Sequence, residues 1–276
     1  MKLLNKIIFW LAVFFTGIHR SELGAFTLVG WQESLDEDAV LSNVSACSDQ
    51  HVTVSGDRIF VPSLNKLVAE YAAQANTVTQ AQLQSPSLRR VCLLDIGCIQ
   101  QGLVPSGSES FYPHFNCPID LEVNEGVEAF MLKPADGAIV ATVLAWLADG
   151  ALAPVVGEVF TIRVTATITS VVGQWVNGAL TFTQTLPVGK YAIVGANFLE
   201  HGGDLIAFRF VVPAYEWRAG GLACNDYGAR PHASQRYGGM GVWCEFDSVN
   251  PPSIDILAAA AAAQTIVGFI DLIKTG

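Results

Sequence analysis

The chain has 276 residues, of which 51% are hydrophobic and only 14% are charged. It is long enough to bury one large core or two modest ones, and its charge content is low for a soluble domain. The net charge of −10 and the lack of any Lys/Arg run argue against direct sequence-specific binding of nucleic acid. The low charge is typical of a subunit covered by neighbours, or of a large β domain rich in Thr, Ser and Gln.

The first 30 residues are predicted to form an apolar N-terminal helix or arm. Lys2 and Lys6 precede an apolar run, Ile7–Phe15, which resembles a secretory signal but has a poor cleavage site. The run is too short to span a bilayer. Its apolar residues follow helical spacing, which favours a retained helix that contacts the inner face of an assembly, its own body or a membrane surface. The candidate contact residues are Ile7, Ile8, Leu11, Phe14 and Phe15. A cleaved signal is the alternative.

Residues 31–150 are predicted to form a first β-sandwich domain with one inserted helix. Ser63 is a plausible N-cap, and apolar residues from Leu64 to Ala75 lie on one face of a helix predicted over Ser63–Gln84. Short hydrophobic runs predict the strands of this domain. Two short strands are predicted around Ser55-Gly56-Asp57 within His51–Val61, and one each at Val91–Ile96, Ile119–Val123, Val127–Leu132 and Ala138–Leu147. Gly150–Pro154 is the predicted boundary, and residues 151–276 form the second β-sandwich domain.

The segment Glu158–Val212 carries the strongest strand signal. From Phe160 to Ile168, apolar residues alternate with Thr and Arg, which is typical of a half-buried strand. Asn177-Gly178, between two apolar runs, predicts a hairpin turn. Further turn residues at about ten-residue spacing predict an antiparallel strand meander. Closing strands are predicted at Val242–Phe246, Ile254–Leu257 and Thr265–Ile273.

A long glycine-rich loop, Ala214–Gly241, is predicted to be an assembly interface. Subunit interfaces concentrate aromatic residues and arginine, and glycine lets a loop lie close to a partner. The candidate interface residues are Tyr215, Trp217, Arg218, Tyr227, Arg230, Arg236 and Tyr237. An ordinary surface loop and a substrate lid are the alternatives.

The sequence contains no motif of a known catalytic centre, because GxSxG, P-loop and HExxH patterns are all missing. His201 and Asp204 with His232 are a candidate metal site. Glu122, Glu125 and Glu128 are candidates for paired carboxylates. The six cysteines form no CxxC pair; free thiols are expected, with a Cys224–Cys244 disulfide as the alternative. We therefore predict neither an enzyme nor a cofactor.

The overall pattern resembles the compact double jelly-roll major capsid proteins of tailless icosahedral bacteriophages. The features that carry the resemblance are the Asp136-Gly137 and Asn177-Gly178 hairpins, the meander Glu158–Val212, the insert Ser63–Gln84 and the loop Tyr215–Gly241. It implies an all-β antiparallel jelly-roll sandwich, with two tandem jelly rolls of two four-stranded sheets each. It also implies that three chains form a pseudo-hexameric capsomer. Only six or seven strands are predicted in each half, so a single jelly roll with long insertions stays open.

The expected function is that of a structural, self-assembling shell protein of a virion. Its partners would be copies of itself, as a homotrimer within a larger icosahedral shell. One alternative is a secreted β-sandwich that binds carbohydrate or a surface through Trp175, Trp217 or Trp243. A β-sandwich glycoside hydrolase or lyase is the third possibility.

Overall fold

The computed structural model describes residues 25–35, 40–75, 79–91, 94–101, 111–132, 139–202, 204–213, 215–225 and 231–276. Among the described residues, strands account for 57% and helix for 3%. The predicted all-β, antiparallel class is therefore confirmed, and the sheets pack as β-sandwich-like layers.

The N-terminal half, residues 26–148, contributes one continuous set of paired strands and a short helix. Its strands are β1 (Phe26–Leu35), β2 (Leu41–Val44), β3 (Val54–Ser55), β4 (Arg58–Phe60), β5 (Lys66–Ala75), β6 (Thr79–Gln84), β7 (Leu94–Gln101), β8 (Phe111–Pro113), β9 (Ile119–Asp120), β10 (Gly126–Leu132) and β11 (Ile139–Ala148). The helix, α1 (Pro86–Val91), lies between β6 and β7.

The C-terminal half, residues 160–274, contributes the two remaining sheets. Its strands are β12 (Phe160–Thr169), β13 (Val176–Ala179), β14 (Thr181–Phe182), β15 (Lys190–Glu200), β16 (Leu205–Val211), β17 (Gly220–Leu222), β18 (Cys224–Asn225), β19 (Cys244–Asp247), β20 (Ser253–Ala258) and β21 (Ala263–Lys274). A 3-10 turn covers Ala233–Gln235.

Strands in the N-terminal half pair in a nested order. β1 pairs with β11, and β11 pairs with β5, which also pairs with β8; we call this sheet N1. β2 pairs with β10, and β10 pairs with β6, which also pairs with β7; we call this sheet N2. All these pairings are antiparallel, whereas β7 also pairs in parallel with β5 and so joins the two sheets.

The C-terminal half repeats this order. β12 pairs with β21, and β21 pairs with β15, which also pairs with β19; this is sheet C1. β13 pairs with β20, and β20 pairs with β16, which also pairs with β17; this is sheet C2. β15 and β16 follow each other in the chain but lie in different sheets, so the predicted meander is wrong.

The predicted helix over Ser63–Gln84 is also wrong, because its residues form the strands β5 and β6. Leu67 and Ala72 are buried in the core between N1 and N2, whereas Val68 and Tyr71 are buried on the opposite face of N1. A strand covered on both faces has a continuous apolar run instead of an alternating one. Such a run imitates one face of a helix in the sequence. A short helix is present, but it is α1.

The predicted turn at Asn177-Gly178 is a third correction, because both residues lie within β13. Asn177 is opposite Asp255 in β20, and its Nδ2 donates a hydrogen bond of 2.9 Å to that carboxylate. At Gly178, a Cβ atom would lie 2.3 Å from the Ile168 side chain. Glycine at this position therefore permits close packing rather than a turn. The Asp136-Gly137 turn lies outside the described residues.

The two halves share buried surface. Sheets N1 and N2 enclose one core, and sheets C1 and C2 enclose another. The outer face of N1 continues the second core: Phe26, Leu28 and Trp146 are buried with the aromatic residues of β16. Trp146 Nε1 donates a 2.9 Å hydrogen bond to the carbonyl of Gly220 in β17. N1 therefore lies against C2 and fixes how the halves contact each other.

Residues 26–30 of the predicted N-terminal arm belong to β1 of sheet N1. The candidate contact residues Ile7, Ile8, Leu11, Phe14 and Phe15 lie outside the described residues. No helix among the described residues is both long and apolar enough to cross a bilayer. The boundary predicted at residue 150 lies between β11 and β12, and the division into two domains stays a prediction.

Candidate assembly surface and interdomain cavity

The segment predicted as an interface loop is largely part of the fold. Ala214–Gly241 includes β17 and β18, and β17 is fully buried in sheet C2. Arg218 is only 7% exposed; its Nη1 donates to the carbonyl of Tyr215 at 3.0 Å, and its own carbonyl accepts from Leu28 N at 2.9 Å. Arg218 therefore packs inside the chain, whereas the sequence predicted that it lies on an exposed interface loop.

Arg236 and Tyr237 occupy a turn that is hydrogen-bonded to β21 of sheet C1. Arg236 donates two hydrogen bonds, of 2.6 and 2.9 Å, to the fully buried carboxylate of Asp271. The same carboxylate accepts from Tyr237 N at 2.9 Å and from Thr161 Oγ1 at 2.7 Å. Burial favours the neutral acid, but these hydrogen bonds and the Arg236 charge outweigh burial and lower the pKa of Asp271. The carboxylate anchors the turn to β21.

This anchoring presents Tyr237 to solvent in a fixed position. Tyr237 is 62% exposed, although its backbone is held at a φ of 52°, and Arg236 lies over its ring at 4.7 Å. The next residue, Gly238, accepts a 3.0 Å hydrogen bond from Val155 N. Val156, adjacent in the chain, is 94% exposed. We call Tyr237 and Val156 the C1 patch: two exposed apolar side chains on one hydrogen-bonded support.

Tyr215 and Trp217 lie elsewhere, at a small cavity where the described chain begins. The cavity has a volume of about 200 Å³, and its lining residues are Ala25, Asp149, Tyr215, Trp217, Val242, Cys244 and Glu245. Both aromatic side chains are partly buried. Tyr227 and Arg230 lie outside the described residues, so the structure brings together only part of the predicted interface.

A group that sequence reasoning missed is the buried ion cluster between the halves. Arg209 in β16 is 1% exposed and forms ion pairs with Asp49 of the N-terminal half and Asp255 of β20. Its Nη1 also donates to the carbonyl of Leu28 in β1 at 3.1 Å. In the sequence, Arg209 lies in an apolar run, and no nearby residue indicates which carboxylate it pairs with. Its partners are 160 and 46 residues away, so no local signal could have revealed them.

Beside this cluster is a polar cavity of about 330 Å³. We call it the interdomain cleft because its lining residues come from both sides of the predicted domain boundary at residue 150. Its lining residues are Ser48, Gln50, His51, Gln174, Trp175, Asn177, Arg209, Val211, Arg218 and Asp255. The Arg209 guanidinium stacks on the Trp175 ring at 4.3 Å. Burial, and then the charges of Arg218 and Arg209, lower the pKa of His51, so the neutral imidazole is favoured in the cleft.

A scan against protein-family models and a search of curated proteins each found no match to this chain. The sequence-level resemblance to double jelly-roll capsid proteins therefore has no support from these comparisons.

The residues that the sequence suggested for a metal site or for paired carboxylates have other contacts in the structure. Among the described residues, which include His201, Asp204 and His232, no group of three or more His, Cys, Asp or Glu is placed to hold a metal. Glu125 is buried, and it accepts from Ser85 Oγ and from the backbone N of Ser87, so it binds the first turn of α1. Glu128 pairs with Arg58.

The structure also bears on two alternatives from the sequence, the tryptophan stacking platforms and the Cys224–Cys244 disulfide. Trp243 is completely buried and cannot act as a stacking platform, and one face of Trp175 is covered by Arg209. Cys47, Cys117, Cys224 and Cys244 are free thiols, so the Cys224–Cys244 disulfide is absent. Burial raises the pKa of both Cys47 and Cys244, which makes these thiols poor nucleophiles.

Proposed function

We propose that each half of the chain is a jelly roll and that the two rolls stand in tandem. A jelly roll is a long antiparallel hairpin of eight strands that has been rolled up. Rolling pairs the first strand with the eighth, the second with the seventh, the third with the sixth and the fourth with the fifth. It then places the eighth strand beside the third and the seventh beside the fourth.

All six of these pairings occur in each half. In the N-terminal half the eight strands in order are β1, β2, β5, β6, β7, β8, β10 and β11. In the C-terminal half they are β12, β13, β15, β16, β17, β19, β20 and β21. The remaining short strands are additions to this order.

A further repeated detail supports duplication. After the fourth strand, the chain in the N-terminal half pairs antiparallel with that strand and then in parallel with the third, through β7. In the C-terminal half, β17 pairs antiparallel with β16, and β18 pairs in parallel with β15. Parallel pairing within an otherwise antiparallel half is uncommon enough that its recurrence at the same position favours a tandem arrangement.

From this architecture we infer a structural shell protein that assembles with copies of itself, as a trimer within the icosahedral shell of a virion. The duplicated strand order is the observation that carries the proposal. Two similar rolls fixed by one chain give a trimer six similar lobes, which suits a pseudo-hexameric capsomer. The low charge content and the exposed C1 patch agree with surfaces that are covered in an assembly.

The direct test is the particle mass of purified protein, measured by light scattering and negative-stain microscopy. A trimer or a closed shell is expected at high concentration, and a protein that stays monomeric throughout would contradict the proposal. Because β17 and β18 of the segment Ala214–Gly241 pair within the sheets, we expect deletion of the segment to unfold the chain. Point variants are needed instead.

The matched pair is Tyr237→Ala and Tyr112→Ala, since Tyr112 is also exposed, at 41%, but lies in β8 of the other half. Loss of an aromatic anchor at the centre of an interface typically costs about 2 kcal/mol or more of binding energy. We expect Tyr237→Ala to weaken trimer formation about 30-fold and Tyr112→Ala to leave it unchanged. Equal assembly of both variants would exclude the C1 patch as a contact.

A further inference from the structure

Two buried N–H donors at the interdomain cleft lack a hydrogen-bond partner. Trp175 Nε1 and Arg218 Nε are both buried and unpartnered within the part of the chain that the structure describes. Both residues line the cleft, and Arg218 as a whole is 93% buried, since its exposure is 7%. An unpaired buried donor is costly, and a ligand that supplies acceptor oxygens would remove that cost. Because both atoms have almost no accessible surface, the lining side chains must shift to let such an oxygen reach them.

The charges around the cleft favour an uncharged ligand. The guanidinium groups of Arg209 and Arg218 balance the carboxylates of Asp49 and Asp255, and His51 favours its neutral form. An added anion or cation would leave a net charge in a partly desolvated site. The ligand therefore needs acceptor atoms without carrying an ionised group.

The other groups that face the cleft favour hydroxyls in particular. Gln50, Gln174 and Asn177 carry amides that both donate and accept, and the Asp255 carboxylate only accepts. A hydroxyl group donates and accepts at once, so a molecule with several hydroxyls can satisfy both the unpartnered donors and these acceptors. The volume of about 330 Å³ is at the lower end of the range for small-ligand pockets.

We propose that the interdomain cleft binds a neutral, hydroxyl-rich ligand with the size of one sugar ring. Trp175 serves as a hydrogen-bond donor in this site and not as a stacking platform, because Arg209 covers one face of its ring. Ser48 and Gln174 are exposed and form the rim through which the ligand enters. The bound ligand contacts residues 48–51 and residues 174–177, so it bridges the two halves.

The test uses the full-length protein in its natural assembly state. D-glucose, D-galactose, D-mannose and N-acetyl-D-glucosamine are titrated separately, with binding followed by saturation-transfer NMR and by calorimetry. At least one of these probes is expected to bind. Trp175→Phe removes the Nε1 donor and keeps an aromatic ring for Arg209, so it should weaken binding about threefold to tenfold.

Trp217→Phe is the matched control, because Trp217 lines the separate cavity near Ala25. This variant should bind the sugar with the same affinity as the parent chain. Gln174→Ala, on the exposed rim, gives a second variant with little risk to folding and is expected to weaken binding at least twofold. If none of the four sugars binds, or if Trp175→Phe binds as well as Trp217→Phe, the proposal is overturned. Binding of acetate or phosphate in preference to the sugars also overturns it, because the site would then select a charge.

Discussion

At the scale of single residues, the buried guanidinium of Arg209 connects strands of both halves. It contacts two carboxylates and a backbone carbonyl that come from three separate segments. Removing one member of a buried ion cluster leaves the others desolvated without a partner, which costs more than the cluster itself contributes. Arg209 is therefore the side chain where a substitution should affect the contact between the halves most directly.

We expect Arg209→Met to lower the free energy of unfolding by about 3–5 kcal/mol, because Asp49 and Asp255 would stay buried without a cation. Urea denaturation followed by tryptophan fluorescence measures this change. Arg163→Met is the control: Arg163 is exposed on β12, so its change should stay within about 0.5 kcal/mol. Similar losses in both variants would show that the buried cluster has no special role.

A second residue-scale effect concerns His114, whose Nε2 lies 2.7 Å from a carboxylate oxygen of the buried Glu70. Burial alone would lower the pKa of His114, but the hydrogen bond and charge of Glu70 outweigh it and raise that pKa above 6.5. The folded state thus holds this proton more tightly than the unfolded state. Its stabilising effect is complete below pH 6.5 and is lost as the pH rises through the raised pKa.

We therefore expect the stability difference between the parent chain and Glu70→Gln to shrink as the pH rises above 6.5. Urea midpoints measured across this pH range give the difference directly. The exposed Gln174, which has no ionisable group, provides a control, since Gln174→Ala should keep the pH profile of the parent chain. A difference that stays constant with pH would mean that the His114 proton is not coupled to folding.

At the scale of secondary-structure elements, the close approach of neighbouring strands determines which positions must be glycine. β17 lies against β16, and Trp146 of β11 contacts the carbonyl of Gly220 from the other half. A Cβ atom on Gly220 would lie 2.2 Å from the Phe208 carbonyl oxygen and 2.6 Å from Arg209 Cβ. Backbone atoms cannot move aside as a flexible side chain can, so β17 and β16 would have to separate.

Gly220→Ala should consequently destabilise the fold by about 1–3 kcal/mol or more, the usual cost of forcing an additional carbon into a packed core. Gly150→Ala is the matched control, because a Cβ atom at that position meets nothing within 4 Å. Thermal unfolding of both variants compares them under identical conditions. A Gly220→Ala protein as stable as the Gly150→Ala protein would refute the close approach of these strands.

At the scale of the whole molecule, the two halves share a core across N1 and C2. Phe26 contacts Trp243 edge-to-face, with 5.7 Å between ring centroids, and Gln32 of β1 accepts a 2.8 Å hydrogen bond from Gly173 N. Separating the halves would expose this apolar surface to water. The halves should therefore unfold together, although each repeats the same strand order.

Calorimetry of the parent chain should show one transition whose calorimetric enthalpy equals its van't Hoff enthalpy. A control is the same measurement on Arg209→Met, whose weakened contact between the halves should broaden or split the transition. Two resolved transitions in the parent chain would mean that the halves are thermodynamically independent. That result would not affect the strand order that both halves share. It would show that the buried surface between the halves does not couple their unfolding.

The sequence by itself determined the local elements with a single buried face. β12 was predicted from its alternation, and the hairpin β3–β4 from the turn at Ser55-Gly56-Asp57, where Gly56 has a φ of +61°. β10 was also predicted. In these cases the pattern is local, because one face meets a core and the other is more exposed. β11 was predicted as a strand too, although it is buried on both faces. Of the residues that the sequence suggested for an assembly interface, Tyr237 is exposed and Arg218 is buried.

Only the tertiary structure decided which strands pair, what covers each sheet and where charges meet. β5 was predicted to be helical because both of its faces are buried, one by N2 and the other by the C-terminal half. Asn177-Gly178 was predicted to turn, yet β20 pairs with it from more than 70 residues away. The interdomain cleft had no sequence signal, since its two walls come from residues 48–51 and 174–255. Long-range pairing depends on packing and loop closure, which no short window of sequence contains.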